Sequence, residues 1–257
     1  AIHWAMDTRD PASSTHGYIQ NAMHRGPWGR GKNEDYPVTW EHMRAIGHRV
    51  YGRADTLDPL SGYEGKALPA AFHGLRSVIK DCVAVDDQVF PLIYSAHTED
   101  RFVKVGDIDG PDTEAHLFAA GTGVNWDPDE FGHAAERVLN LERAIAIRHF
   151  GRNRAMDERV LPAFEYEENW INPEIGKRMK LERGEFDPVM DEYLRIRGWD
   201  TKTGWPTQET LAALDIPEVH EPMVAGAEAA QARLPELPPV DPVIDIHKDD
   251  AERKDRP

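Results

Sequence analysis

The chain has 257 residues, 40% hydrophobic and 30% charged, which is enough to bury a core and unlike a broadly disordered chain. Lys and Arg number 30 against 46 Asp and Glu, and the net charge of −16 excludes a nucleic-acid or anionic-membrane binder that relies on clustered positive charge. A single cysteine, Cys82, excludes an internal disulfide framework and any self-contained cysteine-based zinc or iron–sulfur site.

Residues 1–66 read as a loop-rich segment, with glycines and prolines throughout and one short helix over Val38–Tyr51 that Thr39 caps. The N-terminal AIHWAMDTRDP has neither the basic nor the apolar region of a signal peptide. From Ala67 to Val85 the apolar residues Leu68, Ala71, Phe72, Leu75, Val78, Ile79, Cys82 and Val83 follow helical spacing with one buried face. Thr113–Thr122 reads as a short helix closed by Gly121 and Gly123. Asp127 and Pro128 form a helix start, as N-cap and first helical residue, and the helix runs from Glu130 to about His149, with Gly151 as its stop. Residues 152–185 read as loops. Asp187-Pro188 opens a helix over Val189–Arg197, Trp199–Trp205 is a turn, and Thr207 caps a last short helix to Leu214. The domain reading is therefore 1–66 loop-rich, 67–216 helical, and 217–257 an extended acidic tail, with five prolines in residues 235–257. The fold class is mainly α. No stretch approaches the ~20 apolar residues of a membrane span, and a cytoplasmic protein is expected.

Common catalytic patterns are missing. There is no HExxH and no GxSxG, and Gly26-Pro27-Trp28-Gly29-Arg30-Gly31-Lys32 matches neither a phosphate-binding loop nor the dinucleotide fingerprint. Cys82 lies in an apolar helical pattern and reads as a small core residue. Asp81 reads, on pattern alone, as part of a solvated face, with Asp86 and Asp87 ending the helix.

Six segments nevertheless resemble those of one family, in the same chain order. Gly65-Lys66-Ala67 leads through a helix to an Asp-x-x-x-(aliphatic)-(Cys/Asp) motif at Asp81, Val85 and Asp86, followed by Phe90-Pro91. Arg9 to His16 is similar to an Arg-Gly-x-x-His segment, expanded here to RDPASSTH. Ala120–Leu141 resembles a Thr-Gly turn and the helix after it. Leu141-Glu142-Arg143-Ala144 begins a Leu-Glu-Arg-Ala element, and Arg152–Pro162 resembles the segment after it. Met190–Asp200 (MDEYLRIRGWD) is similar to a C-terminal Asp-Glu-Tyr-Tyr-x-x-Arg-Gly-Trp-Asp motif. Together these resemble the tungsten-containing aldehyde:ferredoxin oxidoreductases, in the branch with aldehyde oxidoreductases and tungsten benzoyl-CoA reductases. The resemblance covers about Ala1 to Ile216.

That resemblance implies a helical subunit or fragment of a tungsten bis-pyranopterin oxidoreductase, acting on an aldehyde, carboxylic acid or acyl substrate and passing electrons through an iron–sulfur cluster. It implies tungsten or molybdenum held by two pterins, and a 4Fe-4S cluster whose cysteines lie mostly on another chain. By position, Asp81, Val85 and Asp86 match the pterin motif, and an ionised Asp81 suits a pterin's ring and amino N–H groups. Asp86 stands where many members carry the fourth cluster cysteine and is the implied metal ligand; Cys82, four residues earlier on the same helical face, is the alternative. His16 resembles the histidine beside the metal, with Thr15 and Tyr18 as alternatives at that place, and Arg9 would bind a cofactor phosphate or brace the loop. The implied partners are a chain with the N-terminal pterin- and cluster-binding half, a ferredoxin or iron–sulfur electron-transfer subunit, and a small-molecule substrate, with no nucleic acid and no membrane span. The rival reading is a non-catalytic helical scaffold derived from the same fold. The tail, if ordered, is expected to wrap a partner subunit.

Overall fold

A computed structural model describes residues 1–7, 38–58, 61–85, 90–95, 97–161, 164–167, 170–172 and 177–233. Among them the chain is mainly helical, as its composition and periodicity predict. In chain order the elements are α1 (Ile2–Met6), α2 (Trp40–Tyr51), α3 (Ala67–Val83), a small hairpin of β1 (Lys104–Val105) and β2 (Ile108–Asp109), α4 (Thr113–Thr122), α5 (Pro128–Phe150), α6 (Arg154–Arg159), α7 (Phe164–Glu167), a second hairpin of β3 (Trp170–Asn172) and β4 (Lys177–Met179), α8 (Arg183–Ile196), α9 (Gln208–Ala213) and α10 (His220–Gln231). Both hairpins are antiparallel; Lys104 faces Asp109, and Trp170 faces Met179. No helix among the described residues is long and apolar enough to cross a membrane.

Helix ends follow local chemistry. The Thr39 side chain accepts from the His42 backbone N–H, and the His42 ring accepts in return from the Thr39 N–H, a reciprocal cap. Asp127 and Glu130 form the same box at the start of α5, and Gly151 closes it in the left-handed conformation. Thr207 caps α9.

Helix α3 is the hub. It lies against α1, α2, α4, α5 and α8. One buried face was expected, but Ala67, Ala70, Ala71, His73, Ser77, Val78, Ile79 and Lys80 are all buried, so nearly every side is covered until its last turn. Small residues at Ala67, Ala70, Ala71 and Gly74 leave room for α8, and Arg197 from the end of α8 donates to the Ala71 carbonyl and, at 2.7 Å, to Glu136.

A buried ionic centre joins the other helices. Arg143 of α5 and Asp157 of α6 are each 1% exposed and meet in a two-point contact, at 2.9 and 2.6 Å. Arg143 also donates to the Gly204 carbonyl at 3.0 and 2.9 Å and lies 5.1 Å from the centre of the Trp199 ring. Trp199 donates its indole N–H to the buried Asn140. Arg152 donates to Asp157 at 2.6 Å and to the Ala5 and Asp7 carbonyls at 3.0 and 2.9 Å, which ties α1 to the bundle. Gly204 is required there: its φ is +72°, and a Cβ would come within 2.9 Å of the Arg143 guanidinium.

Three sequence expectations need correction. Residues 152–185 are not all loop: Asn153 caps α6, and α7 and the second hairpin follow. Helix α8 begins at Arg183, so Asp187 is not its cap and Pro188 lies inside it. Proline at the sixth helical position forfeits only one intrahelical N–H, while Phe186, Val189 and Met190 around it are buried and hold the turn by packing. Residues 217–231 are not extended tail: a short 3-10 turn leads into α10, whose Met223 and Ala227 pack on Ala144 and Ile147 of α5. Gly226 permits that contact, because a Cβ there would fall 2.7 Å from the Arg148 carbonyl. Residues 235–257 lie outside the described residues.

Replacing Asp157 with Asn leaves the buried Arg143 and the partly buried Arg152 without their counter-charge. Asp157→Asn is therefore expected to lower unfolding stability by about 3–5 kcal/mol in urea denaturation. A loss below about 1 kcal/mol contradicts a structural role for this pair.

Candidate functional site

A partly open cavity of about 40 Å³ lies where α1, α3, α5 and the end of α8 converge. That is room for ordered water rather than for a large ligand. His3 and Asp7 contribute from the first segment, Ser77 from α3, Glu142 and Arg143 from α5, and Trp199 from beyond α8. Its position follows from the packing above: Arg152 holds the Asp7 backbone, and the small Gly74 and Ser77 keep α3 thin on this side.

His3 sits at the cavity as a neutral acceptor. Its Nε2–H donates to the Ala70 carbonyl at 2.8 Å, which leaves Nδ1 with its lone pair. Burial pushes its pKa down to about 4, and the Ala70 carbonyl opposes that shift only in part. Behind it, His73 shares a 2.6 Å hydrogen bond with the Tyr51 hydroxyl, and burial keeps this imidazole neutral as well.

Asp81 and Cys82 lie one helical turn beyond Ser77 and Val78, at the exposed end of α3. Cys82 is exposed, which corrects its reading as a core residue. The pattern misled because the last turn of α3 is covered on one side only: Val83 packs beside Phe131, while Asp81 and Cys82 are exposed. Partial burial raises the Cys82 pKa, and the Asp81 and Glu142 carboxylates raise it further. A thiol held protonated in this way is a poor nucleophile and a poor metal ligand. Glu142 thus links the helix end to the cavity, since it lines the one and acts on the other. The region carries negative charge and favours a ligand that offers N–H or O–H donors.

The helix closes without glycine. Ala84 takes a φ of +54°, and the Ala84 and Val85 N–H groups both bond the Lys80 carbonyl. That is a left-handed closing turn in which alanine carries roughly 1–2 kcal/mol of strain. It sets the path of Val85, which is partly buried, towards Asp86. Asp86, Arg9 and His16 lie outside the described residues. Of the residues singled out from sequence, the structure brings Asp81, Cys82 and Val85 to one helix end.

His3, Asp7, Ser77 and Glu142 were not singled out for the site. His3 and Asp7 are four apart on and just past a single helical turn, and Glu142 falls within the Leu-Glu-Arg-Ala element, but neither fact marks a cavity without the tertiary contact. Among the described residues, no three His, Cys, Asp or Glu side chains gather to hold a metal ion.

With this geometry in place, the comparison with protein families is specific. The family model described as aldehyde ferredoxin oxidoreductase, domains 2 and 3, matches residues 8–216.

Two measurements check the local physics. Ala84→Gly relieves the left-handed strain at an exposed position and is expected to raise stability by about 0.5–1 kcal/mol, seen as a higher urea midpoint. A lower midpoint contradicts the closing-turn geometry. For His3 the folded pKa lies below the unfolded value of about 6.5, so the unfolded state binds the extra proton between about pH 6.5 and pH 4. The contribution is complete above about pH 6.5 and disappears as pH falls towards 4, on the order of 3 kcal/mol. His3→Gln should flatten that part of the stability–pH curve, and an unchanged slope rules the buried neutral imidazole out.

Proposed function

The chain belongs to the aldehyde ferredoxin oxidoreductase family, and on that premise we propose that it is the helical, pterin-contacting part of a tungsten bis-pyranopterin oxidoreductase. Members of the family are oxidoreductases that bind pterin–metal and iron–sulfur cofactors. When bound, the metal centre supplies the two-electron chemistry, by which an aldehyde is oxidised or a carboxylic or acyl substrate reduced.

The observation that carries this reading is the exposed, acidic end of α3. The exposed Asp81 carboxylate is the group assigned to a pterin's ring and amino N–H groups in this reading, since charge-assisted bonds of that kind are among the strong ones. Glu142 beside it keeps the field negative, which selects donor-rich edges over anionic ones. The donor set therefore fits a pterin edge. It does not fit an iron–sulfur cluster held by this chain alone, because one cysteine with a raised pKa cannot anchor it. A second chain supplies the cluster cysteines in this reading, and Asp86 adds at most one oxygen ligand. Arg9 and His16 keep their proposed roles, at a cofactor phosphate and in proton transfer beside the metal. The electron acceptor is a ferredoxin or an iron–sulfur subunit, and the chain is inactive by itself.

The rival reading is a non-catalytic helical scaffold derived from the same fold, motivated by a single cysteine and by Asp86 at the fourth cluster position. Elemental analysis of the complex isolated with this chain separates the two. Tungsten or molybdenum, with iron, is expected in fixed ratio to the chain, together with a copurifying chain that carries Cys-x-x-Cys-x-x-Cys. Asp81→Ala should lower the pterin content roughly tenfold or more, and Asp81→Asn less, because the amide still offers an acceptor. A complex that holds no tungsten or molybdenum at any ratio leaves the scaffold as the function.

A further inference from the structure

Helix α4 has the composition of a buried helix and the exposure of a surface one. Ala115, Leu117, Phe118, Ala119 and Ala120 place apolar side chains around most of its circumference. Only one side is used: Ala115 and Phe118 join Ile79, Val83 and Phe131, and Glu114 is buried in an ion pair with Arg76 at 2.7 Å. On the open side of the helix Leu117 is 44% exposed, and in the turn that follows it Val124 is 39% and Trp126 40% exposed. Trp126 is not loose. Its ring stacks on Phe118, with centroids 5.3 Å apart and planes 21° apart, so the anchor is fixed in advance of any contact.

The charged residues that directly follow Trp126 in the chain are acidic, while Glu114 on the covered side is paired with Arg76. Every residue with a formal charge between Lys104 and Arg137 is acidic, and Asp127, Asp129 and Glu130, next to Trp126, are exposed. A second copy of the chain, docked symmetrically through this face, would bring two acidic rims together. An aromatic and aliphatic centre inside an acidic rim instead matches a partner with apolar side chains ringed by Lys or Arg.

We propose that Leu117, Val124 and Trp126 form the docking surface for a different chain, one that presents an apolar projection within a basic rim. The inference stands apart from the cofactor reading, because it rests on α4 and the acidic turn after it and not on Asp81.

The test uses the full chain isolated with its natural partners at low ionic strength. Amide hydrogen exchange is compared between that complex and the same chain released in about 1 M salt, where the Debye length falls to about 3 Å. Residues 116–126 are expected to exchange at least roughly tenfold more slowly in the complex. Leu117→Glu and Asp129→Lys should each weaken partner retention about tenfold or more, with the far-ultraviolet circular dichroism unchanged. Leu117 is 44% exposed and outside the apolar cluster, and the Asp129 carboxylate lies outside the capping box, so neither change removes a core contact. Isolation as a monomer or as a symmetric homodimer, a complex in which residues 116–126 exchange as fast as in the released chain, or full partner retention by both variants overturns the proposal. A metal-free complex that protects this segment supports it while failing the cofactor reading.

Discussion

The bidentate contact between Arg143 and Asp157 is the constraint on which the rest of the bundle depends. Two charges that are each 1% exposed are tolerable only when every strong donor and acceptor is matched. The matching partners come from far along the chain: Gly204 in the turn after α8, Arg152 after α5, and, through Arg152, the carbonyls of Ala5 and Asp7. A hydrophobic core would accept small slips among these elements. A forked guanidinium does not, because its donors fix both distance and direction. The same geometry therefore sets where Asp7 meets the cavity.

Around that centre, α3 divides into two parts with different roles. Its first four turns are covered by five other helices and hold position. Its last turn emerges from cover, carries Asp81 and Cys82, and ends in a strained turn at Ala84. A rigid stem with an exposed end is a suitable way to present a carboxylate to a ligand, since little ordering is left to do on binding. The electrostatics point the same way. At this end of the helix the Asp81 and Glu142 carboxylates add to partial burial in raising the Cys82 pKa, the direction expected where anions are disfavoured. The open side of α4 is a separate surface, and its acidic rim makes it selective rather than merely sticky.

Much of this was legible in the sequence. The helix starts at Thr39, Asp127 and Thr207 rest on local capping chemistry, which needs no tertiary information. The family segments were legible because they run in order, and the match over residues 8–216 agrees with them. What stayed hidden depended on packing. Pro188 looked like a helix start, and only the burial of Phe186 and Val189 on either side shows why a helix can pass through it. The helix His220–Gln231 was hidden behind an Ala- and Glu-rich composition, and it is ordered by the close approach of Gly226 to Arg148. Cys82 fitted an apolar stripe that the tertiary structure does not continue to cover. Asn140 and Arg143 fell on the buried face of α5, where a hydrophobic count has no place for them. Residues that act by matching distant partners leave no periodic trace.

The central claim is that the exposed end of α3 receives a pterin within an assembly of more than one chain. An electron cryomicroscopy map of the isolated complex tests it most directly. The account predicts a pterin whose ring or amino nitrogen lies about 2.7–3.0 Å from an Asp81 carboxylate oxygen, with the cluster cysteines on the neighbouring chain. A map in which Asp81 faces bulk solvent, or in which another protein element occupies the end of α3, contradicts it.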